Sequence, residues 1–235
     1  MAKNFSFEYR IPSYEKSGHK MEEELIGVLN KKRYDELAFK LLLKERNDLI
    51  GKEEYLAKRN NPEDEFERIL NLREVASRRL ETTSKVIRNE NYLDYDNSMV
   101  LIEKCQYGDP EKPTVFFAKK LYNYLNDIYG DKYNLKFFIS SGITHLDILH
   151  GIDCYFKLYD KESGEEVSRC TIDLTGNREK DRAKANVLIL IEPDVRDKID
   201  PSPVNKDFDK ILLEETISDY GKIIQYSIDS NFKKQ

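Results

Sequence analysis

The sequence predicts an α/β (α+β) protein in which a helical N-terminal region precedes a mixed sheet flanked by helices. Through residue 92, apolar residues recur at steps of three and four, which is the spacing of one helical face. Beyond residue 92, apolar and polar residues alternate, which is typical of strands. The length of 235 residues suits one large domain or a core with an appendage. We therefore expect a helical region over residues 1–92 and an α/β core over residues 93–235.

Composition and charge exclude several classes of protein. The chain is 39% hydrophobic and contains 15 Tyr and 11 Phe, which is too apolar for a disordered protein. Its 39 basic and 44 acidic residues lack the basic excess of a protein that coats nucleic acid. No apolar run approaches the roughly 18 residues that span a bilayer, and the first residues lack a signal-peptide pattern. We expect a cytoplasmic protein that binds no membrane.

Three helices are predicted in the N-terminal region. The apolar spacing indicates a first helix over residues 20–32 and two long helices over residues 34–59 and 62–88. Asn61 and Pro62 form a typical helix start, with a capping side chain before a proline in the first turn. A short turn between the two long helices predicts an antiparallel hairpin. This hairpin could contact a phosphate backbone or form a homodimer.

The elements of the core are predicted from changes in spacing and from turn residues. A strand is expected over residues 98–104, and a helix over residues 114–129 that Gly130 ends. Further strands are expected over residues 137–139, 151–159, 166–174 and 187–191, with residues 161–164 as a hairpin turn. Helices are expected over residues 178–185 and 207–226.

Two aspartates fall on neighbouring predicted strands. Alternation places Asp153 and Lys157 on the face opposite the apolar residues of their strand, and Asp173 on the corresponding face of the next strand. Antiparallel pairing through the hairpin then brings the two carboxylates together. Carboxylates that converge in this way repel each other unless a cation lies between them, and all-oxygen ligation suits Mg²⁺ or Mn²⁺. The alternative is that both acids lie on the solvent face of an amphipathic hairpin.

The residues around these aspartates resemble a known family. The strings HLDILHGIDCYF and SRCTIDLTGN, followed by a predicted helix with Lys180 and Lys184, resemble the core of the PD-(D/E)xK nuclease superfamily. That family has a restriction-endonuclease-like fold, with an acid on one strand and acid-x-lysine on the next. The resemblance covers roughly residues 113–191 and leaves the helical N-terminal region unexplained.

The resemblance implies a metal-dependent hydrolase. Asp153 matches the first acid of the family motif and Asp173 the second. Both would hold Mg²⁺ (or Mn²⁺), with the carbonyl of Leu174 as a further ligand. The implied activity is phosphodiester hydrolysis of DNA or RNA, so nucleic acid is the expected partner.

The motif lysine is missing, because Thr175 stands at its position. Lys157, on the Asp153 face, and Lys180, after the second acid, are the two candidates to supply the catalytic ammonium group. The alternative is a catalytically inactive nuclease-fold protein, such as a phage or mobile-element accessory factor. Such a protein would grip a protein or nucleic-acid partner, and a phage-encoded one would act in the host cytoplasm.

Other reactive residue types have less specific patterns. His145, Asp147 and His150 have a spacing that suits metal binding or general-base chemistry, but also packing and capping near a turn. The three cysteines form no CxxC pair, so neither a disulfide framework nor a zinc finger is expected. Cys154 and Cys170 fall on the apolar faces of their strands, which predicts that they are core residues.

Overall fold

The computed structural model describes residues 20–57, 63–83, 93–142, 144–180, 183–203 and 205–232. The contacts within the chain divide it into two compact units. The first, which we call the sheet unit, consists of Met1–Val28, Gly108–Ser141 and Gly151–Gln235. The second, the helical unit, consists of Leu29–Tyr107 and Gly142–His150. The predicted helix start at Asn61 and Pro62 lies outside the described residues.

The described residues form helices and one sheet. The helices are α1 (residues 20–25), α2 (Lys31–Ala57), α3 (Glu63–Thr83), α4 (Tyr95–Lys104), α5 (Phe116–Tyr129), α6 (His145–His150), α7 (Pro193–Ile199) and α8 (Lys210–Ser230). The strands are β1 (Tyr133–Ile139), β2 (Cys154–Asp160), β3 (Glu166–Thr175) and β4 (Val187–Leu190). None of the described helices contains an apolar stretch long enough to cross a membrane.

The sheet has the strand order β1-β2-β3-β4 and is mixed. The pairs β1–β2 and β2–β3 are antiparallel, whereas β4 lies parallel to β3. The turn between β2 and β3 is the predicted hairpin, and its register pairs Cys154 with Ile172 and Phe156 with Cys170. The predicted α/β class, with helices flanking a mixed sheet, is confirmed.

One face of the sheet is the apolar core of the sheet unit. Phe156 in the central strand β2 contacts Phe137 of β1, with ring centroids 4.9 Å apart. Leu125 of α5 and Ile224 of α8 are buried in the same cluster. Gly221 allows α5 and α8 to approach closely, because a Cβ there would lie 2.5 Å from the Tyr124 ring. Both predicted core cysteines, Cys154 and Cys170, belong to this cluster.

The helical unit contains a helix pair and two shorter helices. Arg73 of α3 forms an ion pair with Glu53 of α2, and Arg46 Nε of α2 donates to Ser77 Oγ of α3 at 3.2 Å. The later residue of α2 contacts the earlier residue of α3, so the two helices run antiparallel. The first two predicted helices have different bounds from those observed. Gly27, with a φ of 100°, follows α1, and α2 begins at Lys31.

The predicted strand over residues 98–104 is wrong, because these residues belong to α4. The Asp94 side chain caps this helix by accepting a hydrogen bond from the Asn97 N–H at 2.9 Å. Ser98, Leu101 and Ile102 are buried at helical spacing. A short apolar run fits a strand as well as a buried helix. Here the Asp94 cap at the start of the run favours the helix.

The predicted helix over residues 178–185 is also wrong for the part that the structure describes. Residues 176–180 and 183–186 form turns and bends that join β3 to the parallel strand β4. Thr175 Oγ1 accepts from the Asn177 N–H at 3.1 Å, and Asn177 Oδ1 accepts from the Glu179 N–H at 2.9 Å. These side-chain acceptors stabilise a turn in competition with a helix.

The core packing yields a stability prediction. Phe156 has no exposed surface, so Phe156→Ala is expected to lower the free energy of unfolding by about 3–5 kcal/mol. Tyr226→Ala is the control, because Tyr226 is 76% exposed and its loss should change the free energy by less than about 0.5 kcal/mol. Urea unfolding followed by circular dichroism measures both. A Phe156→Ala cost below about 1 kcal/mol would contradict the described core.

Candidate metal centre

Asp153 is held in place by its backbone just before β2 begins. The N–H groups of Ser140 and Ser141, which follow β1, both donate to the Asp153 carbonyl at 2.8 Å. The Asp153 N–H donates to the Ile172 carbonyl of β3 at 2.9 Å. Asp153 is therefore fixed between the end of β1 and the middle of the hairpin partner strand.

The Asp153 carboxylate binds a backbone N–H group of β3. Its Oδ2 accepts a hydrogen bond from the Leu174 N–H at 2.6 Å. Because the N–H and C=O groups of a strand residue point to the same edge, the Leu174 carbonyl faces the edge on which Asp153 lies. The proposed third ligand and the first acid thus lie on the same side of β3.

Asp173 forms an ion pair with Lys180. Lys180 Nζ lies 2.7 Å from each of the two carboxylate oxygens of Asp173. The Lys180 side chain is 37% exposed, whereas that of Asp173 is almost fully buried. One of the two candidate lysines is therefore in contact with one of the two predicted acids.

Both predicted acids are buried. Asp153 is 4% exposed and Asp173 is 3% exposed. Residues opposite the apolar core, including Tyr155 and Thr171, are buried as well. This burial contradicts the alternative of two acids on a solvent face, and a buried charge is costly unless it is paired or binds a cation.

Glu22 of α1 lies beside Asp153, and it is not among the residues predicted from the sequence. A carboxylate oxygen of Glu22 and one of Asp153 lie within 4.8 Å of each other. Two ionised carboxylates at that separation repel by at least about 3 kcal/mol at an effective dielectric constant of about 20. The available signal was the helical position of Glu22, three and four residues before the core residues Leu25 and Ile26.

Three carboxylates act electrostatically on Cys154 at the start of β2. Burial raises the pKa of the Cys154 thiol well above its ordinary value, and the negative charges of Asp153, Glu22 and Asp173 raise it further. The Glu22 and Asp153 carboxylates, whose oxygens lie within 4.8 Å of each other, are the pair that a divalent cation could bridge.

Lys157, the other candidate, lies further along β2. Its Nζ forms an ion pair with Glu166 at 2.7 Å, and Arg169 also contacts Glu166, at 2.6 Å. Burial raises the pKa of the Glu166 carboxyl, but the hydrogen bonds from Lys157 and Arg169 outweigh it and leave that pKa below its ordinary value. Glu166 pairs with Tyr159, at the opposite end of β2 from Asp153. The structure thus places Lys157 in a different ion-pair cluster.

The segment with His145, Asp147 and His150 belongs to the helical unit. Tyr34 Oη and His145 Nδ1 are 2.8 Å apart, and burial raises the pKa of Tyr34 above its ordinary value. The Asp147 N–H donates to Thr144 Oγ1 at 3.2 Å, which caps α6. His150 makes an edge contact with the ring of Tyr95. These contacts correspond to the packing and capping alternative.

Comparisons with known proteins add no assignment. A scan against protein-family models, a search of curated proteins and a search of solved structures find no match to this chain. The nuclease resemblance therefore stays an expectation from the sequence. The donor set of carboxylates and a backbone carbonyl consists of hard oxygen atoms, which fits Mg²⁺ or Mn²⁺.

The ion pair at Asp173 yields a second prediction. Lys180→Met removes the positive charge from a buried carboxylate and should lower the free energy of unfolding by about 1–2 kcal/mol. The expected cost is less than for a fully buried pair because the Lys180 side chain is partly exposed. Urea unfolding without added metal measures the effect.

Lys222→Met is the matched control. Lys222 lies 3.9 Å from Asp219 on α8, and both side chains are exposed, so its loss should cost less than about 0.5 kcal/mol. Equal costs for the two lysine variants would show that Lys180 is no more important to the fold than a surface lysine.

Proposed function

We propose that the sheet unit hydrolyses phosphodiester bonds of DNA or RNA with Mg²⁺ or Mn²⁺. The observation that carries the proposal is the contact between Lys180 Nζ and the buried Asp173 carboxylate at 2.7 Å. Through this contact, Lys180 would provide the ammonium group of the family motif, which has a lysine where this chain has Thr175. The contact lies at Asp173, which matches the second acid of the motif. The same resemblance to PD-(D/E)xK nucleases supplies the reaction class.

The cation-binding residues are the carboxylates at the start of β2 and the end of β3. Asp153, Asp173 and Glu22 provide anionic oxygens, and the Leu174 carbonyl provides a neutral one. When bound there, Mg²⁺ polarises a phosphodiester and makes water a stronger nucleophile. Burial of the acids keeps their ligand oxygens in one arrangement, which favours binding at a fixed position.

In this proposal, Lys180 binds the phosphate of the substrate. Its ammonium group can donate to a non-bridging phosphate oxygen while it remains beside Asp173, because an ammonium group has three N–H donors. The partial exposure of this side chain leaves a path for a substrate to reach it. The positive charge then stabilises the negative charge that grows on the phosphate during attack.

The alternative, a nuclease fold that binds without cleavage, rested on the absence of the motif lysine. The contact of Lys180 with Asp173 favours hydrolysis over this alternative, because the missing charge is supplied from the following turn. The homodimer through the N-terminal helices, a protein partner and the cytoplasmic location stay predictions.

The proposed chemistry yields an activity prediction. Purified protein with Mg²⁺ or Mn²⁺ should cleave single- or double-stranded DNA or RNA. Asp173→Asn and Lys180→Met should each lower the cleavage rate by about 10²–10³-fold, because the first removes an anionic ligand of the cation and the second removes a positive charge beside the reacting phosphate. Gel analysis of labelled oligonucleotides measures the rate, and Asp219→Asn on the exposed face of α8 is the control that should keep full activity.

Two outcomes separate hydrolysis from the alternative. An intact substrate in every wild-type reaction would reject the enzyme proposal. If the same inactive protein retards a nucleic acid in a gel-shift assay, the binding alternative is supported instead.

A further inference from the structure

The turn after β3 is built from the side chains of Thr175 and Asn177. Thr175 Oγ1 accepts from the Asn177 N–H at 3.1 Å. Asn177 in turn accepts from the Glu179 N–H through Oδ1 at 2.9 Å and from the Lys180 N–H through its carbonyl at 3.2 Å. A chain of hydrogen bonds therefore leads from the buried end of β3 to the backbone of Lys180.

Lys180 reaches back across this turn to the strand from which the turn starts. Its Nζ contacts Asp173, two residues before Thr175 on the same face of β3. A lysine side chain loses rotamer entropy when it is fixed in one position. Such a contact forms readily only if the backbone already holds the Cα atom within reach.

We propose that Thr175 and Asn177 are positioning residues that hold Lys180 against Asp173. Thr175 thus has a specific task at the position where the resemblance expects a lysine, because its hydroxyl directs a lysine from five residues further along. The metal-binding consequence of this inference rests on the proposed function, whereas the positioning itself does not.

The hydroxyl of Thr175 is the critical group. Thr175 is buried, and valine keeps its branched shape while it removes the acceptor for the Asn177 N–H. Serine keeps the acceptor and loses only a methyl group. Thr175→Val should therefore release the turn, and Thr175→Ser should keep it.

A double-mutant cycle tests the positioning without metal or substrate. We expect Thr175→Val to raise the unfolding equilibrium constant about tenfold in the wild-type background, because a hydrogen bond and part of an ion pair are lost. In the Lys180→Met background the same change should raise it only about threefold, because the ion pair is already gone. Urea unfolding of the four proteins provides the constants, and Thr175→Ser should remain close to wild type.

The control is a threonine on the same face of the same strand. Thr171 Oγ1 bonds to Asn186, at 2.8 Å from Oδ1 and 3.0 Å from N, so Thr171→Val also removes a buried threonine hydroxyl. Its effect should be equal in the wild-type and Lys180→Met backgrounds. Equal effects of Thr175→Val in the two backgrounds would overturn the proposal, since Thr175 would then act independently of Lys180.

Mn²⁺ affinity provides a second measurement. Because Lys180 neutralises part of the acidic cluster, Lys180→Met should raise the affinity for Mn²⁺, measured by calorimetric titration. Thr175→Val should raise it in the wild-type background and leave it unchanged in the Lys180→Met background. A rise of equal size in both backgrounds would contradict the positioning role. A wild-type protein that binds no Mn²⁺ would count against the proposed function, while the unfolding cycle still decides the positioning.

Discussion

The cost of burying negative charge governs the candidate centre. Asp153 and Asp173 are both almost fully buried, and a carboxylate of Glu22 lies close to that of Asp153. Lys180 offsets one of these charges, and the Leu174 N–H offsets part of another. Buried carboxylates are costly unless they are paired or bind a cation, and this cost is the physical basis of the metal site that we propose.

The fold holds these groups together through its apolar face. The hairpin register fixes Asp153 and Asp173 as the residues next to the Cys154–Ile172 pair. On the opposite face, Phe156 and its neighbours pack against α5 and α8, so the strands that carry the acids are rigidly supported. Met21 and Leu25 of α1 are buried in the same core, which holds Glu22 at the site. The acids and the core thus share the same elements.

Much of this arrangement could be predicted from the sequence. Alternation in residues 151–159 and 166–174 predicted the core residues of the two strands correctly, because alternate side chains of a strand lie on opposite faces of the sheet. The apolar spacing did not predict α4 as a helix, because its apolar run is short. The helix depends on the Asp94 cap. Glu22 was not predicted because three consecutive acids occupy residues 22–24. The helical spacing of Glu22 to Leu25 and Ile26 distinguishes it only once both apolar residues are known to be in the core. The expected helix after β3 failed because side-chain acceptors at Thr175 and Asn177 compete with helical hydrogen bonds.

The location of a bound cation tests the central claim most directly. A crystal of the protein grown with Mn²⁺ and measured at the manganese absorption edge would show the ion by anomalous scattering. We expect one anomalous peak within about 2.0–2.6 Å of carboxylate oxygens of Asp153, Glu22 and Asp173. A fully occupied Mn²⁺ elsewhere on the protein, with these carboxylates unligated, would contradict the claim.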